Sequence, residues 1–325
     1  MTRLTRRRLL AATAGTSVAS AGLVGGTLAS FSDEEADSGS LTTETWETVS
    51  GRVAYTTGGS LYSAVDSGTT AYGVSGVDVI GPVDQGFDGS DYHVPIVGGN
   101  GELVLIANDG SQNQLDLGST TPRGKMSALA TETWNGHPRS VYYPGSSAST
   151  LYRVAPGGTP GTVEQPSNGI KAALGAGDID DDGVVEFAFV DGSATVRYIV
   201  PPTERTSRAI ESTGVSAGSN NNYGVGSPID ISGYGVVIPA VNGSAGLGLI
   251  DAGGWVDKSL TSGSTATKTL VFGCDFDGDD NVEIVFAGSN GYLKYLDDVG
   301  GTNDVTTVHD ASESKIAVDS GRGVR

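Results

Sequence analysis

One hairpin recurs six times along this chain, and the distance between its copies leaves few folds open. Each copy is an apolar strand, a short glycine-containing tip and a second apolar strand, at residues 52–65, 94–106, 140–154, 186–199, 236–250 and 283–296. Aligned on Tyr55, Ile96, Tyr142, Phe189, Ala240 and Phe286, successive copies stand 41, 46, 47, 51 and 46 residues apart. Alternating strands around tight Gly-rich tips are hairpins. A period in the forties with room for four strands per unit is that of a propeller blade. A β-solenoid would repeat over a shorter period, and a sandwich would not repeat so evenly.

Each later unit carries one more apolar strand ahead of its hairpin, which the first unit lacks. After the sixth hairpin comes Lys315-Ile316-Ala317-Val318-Asp319, a match for that missing strand. Pairing it into blade one closes the ring and removes the open sheet edges that invite aggregation. The expectation is therefore all-β: a six-bladed propeller rather than a seven-bladed one over residues 49–325, with four antiparallel strands per blade and a C-terminal strand as the clasp.

Two loops between first and second strands are strongly acidic. Asp178-Ile-Asp180-Asp-Asp182-Gly-Val184-Val-Glu186 and Asp275-Phe-Asp277-Gly-Asp279-Asp-Asn281-Val-Glu283 both place carboxylates at positions 1, 3, 5 and 9. Alternating carboxylates on a tight loop let several hard oxygens converge on one cation, which suits calcium better than magnesium. An EF-hand begins the same way but runs into a helix with Glu at position 12; here the next element is an apolar strand. The expected calcium ligands are Asp178, Asp180, Asp182 and Glu186, with the Val184 carbonyl, and Asp275, Asp277, Asp279 and Glu283, with the Asn281 carbonyl. Such an ion is structural, because it saturates the carboxylates that acid–base chemistry would need.

With these loops at the same place in the repeat, the chain resembles the FG-GAP/VCBS class of propeller repeats, found in integrin heads and many bacterial and archaeal surface proteins. The matching residues are Gly177-Asp178-Ile179-Asp180-Asp181-Asp182-Gly183 with Glu186, and Asp275-Phe276-Asp277-Gly278-Asp279 with Glu283. The resemblance implies calcium at one end of those two blades. The other units depart from it. Asp280 stands where the turn glycine would be in unit six. Unit two keeps Asp84 and Asp88, and unit five keeps Asp230. Unit three has Arg139 where the others place Glu, so a guanidinium is expected to replace the cation and bridge that loop without metal.

The chain has 325 residues, 38 acidic and 19 basic, for a net charge of -19. Such a charge repels phosphate and excludes nucleic acid as a partner. Acidity spread along the chain resembles the surfaces of proteins from extremely halophilic organisms such as haloarchaea, where salt screens the repulsion; an ordinary acidic secreted protein is the alternative. The single cysteine, Cys274, excludes an intramolecular disulfide and reads as a buried structural thiol.

Thr5-Arg6-Arg7-Arg8-Leu9-Leu10, followed by a mildly apolar stretch to Ala29, resembles a twin-arginine export signal. Residues 1–30 are thus expected to be a signal peptide and 31–48 an acidic flexible linker. The product would be extracellular or at the cell surface, membrane-bound only if the signal helix is retained. Gly26-Thr27-Leu28-Ala29-Ser30-Phe31-Ser32-Asp33-Glu34-Glu35 resembles the junction in surface and filament proteins processed by SipW-type peptidases.

The histidines (His93, His137, His309) share no metal-ligand spacing, and there is no Ser-His-Asp set, glycine-rich phosphate cradle or sialidase-type arginine triad. The reading is a non-catalytic binding or adhesion module whose partner is an envelope glycan or a surface protein. A structural subunit of a surface filament is the first alternative and a glycan-active propeller enzyme the second. Trp134 reads as packing rather than a sugar platform, and Asn242-Gly243-Ser244 is a glycosylation sequon at a hairpin tip.

Overall fold

The computed structural model describes residues 51–57, 59–65, 68–84, 87, 92–122, 129–147, 150–164, 169–193, 195–201, 207–210, 224–242, 246–257, 259–261, 266–279, 281–288, 292–312 and 318–320. The expected signal peptide and linker, Asp88, Asp280, most of the sequon and residues 315–317 lie outside that set. Among the described residues no helix is long and apolar enough to cross a membrane.

Among the described residues twenty-four strands form six four-stranded antiparallel sheets in a ring, a six-bladed β-propeller. Blade one holds β1 (Val53–Thr57), β2 (Ser60–Val65) and β3 (Gly68–Ala71); blade two holds β4 (Val77–Ile80), β5 (His93–Gly98), β6 (Leu103–Ala107) and β7 (Gln112–Gln114). Blade three follows with β8 (Ala130–Glu132), β9 (Ser140–Pro144), β10 (Leu151–Val154) and β11 (Gly161–Glu164), and blade four with β12 (Ile170–Gly177), β13 (Glu186–Asp191), β14 (Val196–Ile199) and β15 (Ser207–Ala209). Blade five is β16 (Ile229–Ile231), β17 (Gly235–Val241), β18 (Leu247–Asp251) and β19 (Gly254–Asp257); blade six is β20 (Ala266–Cys274), β21 (Glu283–Gly288), β22 (Tyr292–Asp297) and β23 (Asp304–Ser312). The last strand, β24 (Val318–Ser320), pairs with β1 through Val53↔Ser320, Ala54↔Asp319 and Tyr55↔Val318. It occupies the place that β4, β8, β12, β16 and β20 take in the other blades, so the ring closes as the repeat arithmetic requires.

Burial follows strand position. β5, β6 and β13 are buried along their whole lengths, because a middle strand of a blade has a neighbouring blade over each face. Their near-continuous apolar runs reflect that two-sided covering. The outer strands β3 and β7, rich in Thr, Gln and Asn, are mostly or wholly exposed.

The apolar core is accordingly divided among the blade interfaces. Separate clusters join blades one and two, two and three, three and four, and five and six. A larger one covers the four–five and six–one interfaces and includes Tyr55, Leu174, Phe276 and Tyr295. Close approach between blades demands glycine at Gly226, where a Cβ would come within 2.0 Å of the Val271 carbonyl oxygen.

Candidate functional site

Both acidic loops connect the first strand of a blade to the second, β12 to β13 and β20 to β21. Their ends are clamped by the ladder itself, through Gly177↔Glu186 and Cys274↔Glu283. Position 9 is thus the first residue of a middle strand, and its side chain points into the interior: Glu186 and Glu283 are each 0% exposed. In blade four Glu186 Oε2 accepts the Ile179 amide at 2.8 Å, and in blade six Glu283 Oε2 accepts the Phe276 amide. The apolar residues at position 2, Ile179 and Phe276, are buried anchors that turn the loop back over its own carboxylates.

Carboxylate oxygens of Asp178, Asp180 and Glu186 lie within 4.8 Å of one another, as do those of Asp275, Asp277 and Asp279. Asp182 and Glu283, expected with them, are not in these closest sets; Asp182 Oδ1 accepts the Val184 amide at 2.8 Å. The loop backbone is shaped around the first aspartate. Asp178 accepts the amides of Asp182 and Gly183 at 3.0 and 3.1 Å, and Asp275 accepts that of Gly278 at 2.8 Å. Position 4 takes a left-handed conformation in both loops, at Asp181 (φ 55°) and Gly278 (φ 85°). An Asp tolerates that region better than most residues.

Four buried oxygens bear on what the loops could hold. Glu186 Oε1, Asp180 Oδ1, Glu283 Oε1 and Asp277 Oδ1 have no hydrogen-bond partner. Burial, helped by the neighbouring aspartates, pushes Glu186 up to about 7 and Glu283 up to about 8. Asp277 is raised by burial and by Asp279 and Asp297. Buried acceptors without donors are costly, and a hard divalent cation satisfies several at once. The residues present fit such an ion.

Neighbouring groups distinguish the two loops in ways that sequence spacing did not reveal. Tyr198 Oη reaches Asp180 Oδ2 at 3.4 Å, and Arg208 of β15 lies 3.5 Å from the same oxygen. Trp134 of blade three is 2% exposed, packs against Tyr142 and Phe187, and donates its indole N–H to the Val185 carbonyl at 2.9 Å. It is packing, as its position before a strand suggested, but packing that holds the neighbouring acidic loop. In blade six the Asp275 carbonyl accepts the Gly51 amide.

The degenerate units resolve differently. Arg139 does not bridge its own loop as expected; it crosses to blade two, where Nε and Nη2 both donate to Asp84 Oδ2 at 2.8 and 2.6 Å. Asp84 is buried, and its charge is met by the guanidinium of Arg139. Asp230 is not in a loop at all: it is an exposed residue of β16 paired with Val236, and three residues turn the chain into β17. Cys274 is buried at the end of β20, and desolvation pushes its thiol well up, away from nucleophilic use.

No family model matches the chain, and no curated protein matches it. Solved structures do. A chain from a nidogen/laminin complex aligns with TM-score 0.53 and 8% identity, over 85% of this chain and 100% of that one. AofleA from Arthrobotrys oligospora aligns with TM-score 0.52 and 15% identity over 86% of this chain and 87% of its own. A mutant of AofleA with three arginines replaced by alanine aligns with TM-score 0.56 and 14% identity, over 86% and 88%. At such identities the likeness shows the propeller fold and nothing finer.

Proposed function

We propose that this chain is an exported, calcium-stabilised propeller of the FG-GAP/VCBS kind that serves as a non-catalytic binding or adhesion module at the cell surface or outside the cell. The observation that carries the calcium part is the pair of glutamates, Glu186 and Glu283. Each is fully buried, each spends one oxygen on a loop amide, and each keeps the other unpartnered beside a set of aspartates. One cation per loop would draw on Asp178, Asp180 and Glu186, with Asp182 and the Val184 carbonyl completing it, and on Asp275, Asp277, Asp279 and Glu283, with the Asn281 carbonyl. Its chemistry there is to neutralise carboxylates and tie β12 to β13 and β20 to β21. The binding part is supported by the architecture, since a closed ring presents its connecting loops on a rigid frame, where recognition usually resides. A propeller chain found in a nidogen/laminin complex agrees with that use.

The test is thermal unfolding in high salt, with calcium and with excess chelator. A site held at 100-fold its Kd adds about 2.7 kcal/mol, or roughly 5–10 °C in Tm for a domain of this size. That gain should vanish in Asp178→Ala plus Asp275→Ala. An unchanged Tm with calcium would reduce the loops to acidic surface chemistry.

A further inference from the structure

Blade one is assembled unlike the others. In blades two to six the chain runs from the first strand of the blade into the second. In blade one the first strand is β24 and the second is β1, and no loop joins them. They meet by the pairing Val53↔Ser320, Ala54↔Asp319 and Tyr55↔Val318. The ring can therefore open at this joint without parting strands that a loop connects.

The blade-six acidic loop lies against that joint. The amide of Gly51, two residues ahead of β1, donates to the carbonyl of Asp275, the first residue of the loop. The approach is so close that a Cβ on residue 51 would stand 2.7 Å from that carbonyl oxygen and 2.7 Å from Cys274 Sγ. Phe276 is 0% exposed, packs on Tyr295 with 5.2 Å between ring centres, and shares an apolar cluster with Val53 and Tyr55 of β1. β24 packs against β20 and β21, the strands on either side of the loop. Asp275 thus faces two ways: its carboxylate accepts the Gly278 amide within the loop, and its carbonyl holds blade one.

The same loop gathers charge that calls for a counter-ion. Oxygens of Asp275, Asp277 and Asp279 lie within 4.8 Å of one another, and the fully buried Glu283 keeps Oε1 without a partner. Asp297, at the end of β22, adds to the negative field at Asp277. Among the described residues no arginine or lysine pairs with Asp277 or Asp279, whereas Arg208 lies 3.5 Å from Asp180 in blade four. Repulsion among the blade-six carboxylates acts on the backbone that carries the Asp275 carbonyl. The blade-four loop also touches its neighbour, through Trp134 and Val185, but there the chain runs directly from β11 of blade three into β12.

We propose that the blade-six loop is the lock of the ring. With a divalent cation among Asp275, Asp277, Asp279 and Glu283, the loop keeps its carbonyl on Gly51 and holds blade one shut against blade six. The blade-four loop has no such part. This rests on the reading of the acidic loops as calcium sites and adds a division of labour between them.

The test is hydrogen exchange read by mass spectrometry on the full chain in high salt, with saturating calcium and with excess chelator. Chelation should speed exchange in β1 and β24 at least tenfold more than in β9 and β10 of blade three, because the ring opens locally at the joint. Asp277→Ala plus Asp279→Ala should reproduce that pattern in saturating calcium, and Asp178→Ala plus Asp180→Ala should not. Coupling between binding and closure is reciprocal. Gly51→Ala, placed in the blade-four double variant, should therefore weaken the remaining calcium site threefold or more by calorimetry. The chelator comparison uses the unmutated chain and decides the matter even where a variant does not fold. Equal acceleration in all blades, none at β1 and β24, the same pattern from the blade-four variant, or unchanged affinity with Gly51→Ala would each overturn the lock. If any of these comes with a calcium-dependent Tm shift in the unmutated chain, the calcium reading stands without the lock. Absence of that shift overturns both.

Discussion

Arg139 in blade three holds the buried carboxylate of Asp84 in blade two with two nitrogens on one oxygen, at 2.8 and 2.6 Å. Position 9, a glutamate in blades four and six, carries the opposite charge here and joins neighbouring blades instead of completing its own loop. Breaking a fully buried ion pair costs about 3–5 kcal/mol. Arg139 is 31% exposed, so Arg139→Met should cost less, about 2 kcal/mol. Arg139→Glu, which sets two carboxylates against each other, should cost more. Denaturant unfolding of both variants measures the difference, and equal stability of Arg139→Glu and the parent would rule the strut out.

Trp134 is one of three tryptophans and its indole donates to the Val185 carbonyl of the blade-four loop. Ordering that loop with calcium should therefore change tryptophan emission. Trp134→Phe should remove most of the change and lower stability by about 1 kcal/mol, the usual worth of one hydrogen bond. Retention of the full calcium signal in that variant would show that the coupling lies elsewhere.

Arg208 is 60% exposed, and its guanidinium lies 3.5 Å from Asp180 Oδ2. It offsets part of the charge that a cation at blade four would use. An exposed ion pair is worth no more than about 1 kcal/mol, so Arg208→Gln should tighten calcium binding at this loop by at most about fivefold. Calorimetry on the variant, with Asp275→Ala added to silence the second loop, reads that change directly.

The metal-free protein should lose stability as pH rises. Glu186 and Glu283 move from the usual 4.5 up to about 7 and about 8 on folding, so the folded chain holds protons that the unfolded chain releases. Their contribution is fully present below about pH 4.5 and declines through pH 7–8. Calcium reverses the trend, since its ligands must be ionised to bind it. Melting curves with chelator between pH 4.5 and 8.5 should slope downwards, and those with saturating calcium should not.

Gly226 lets blade five approach blade six so closely that a Cβ would meet the Val271 carbonyl at 2.0 Å and Pro239 Cγ at 2.9 Å. The first obstacle is backbone and cannot rotate away. Gly226→Ala should cost about 3 kcal/mol, at the upper end of overpacking penalties, read as a lower denaturant midpoint.

The blade count, the hairpins, the position of both acidic loops and the C-terminal clasp were legible in the sequence, for one physical reason. A blade is a local object, in which alternation, glycine tips and loop position are all set within about forty residues. Even the separation of Tyr55 from Phe286 by whole repeats announces equivalent places in the ring. What lay beyond one period was not legible. Arg139 pairs with Asp84 across 55 residues and Trp134 reaches Val185 across 51. No local pattern encodes those partners, because each depends on how far one sheet is rotated over the next. The same holds for Asp230: its acid was visible, but only the register Ile231↔Gly235 shows that the loop it would need has shrunk to a turn. The sequence by itself determined a ring of six sheets and where its carboxylates gather. Tertiary packing decided which carboxylate oxygens are buried without partners and which carboxylate is neutralised by an arginine from next door.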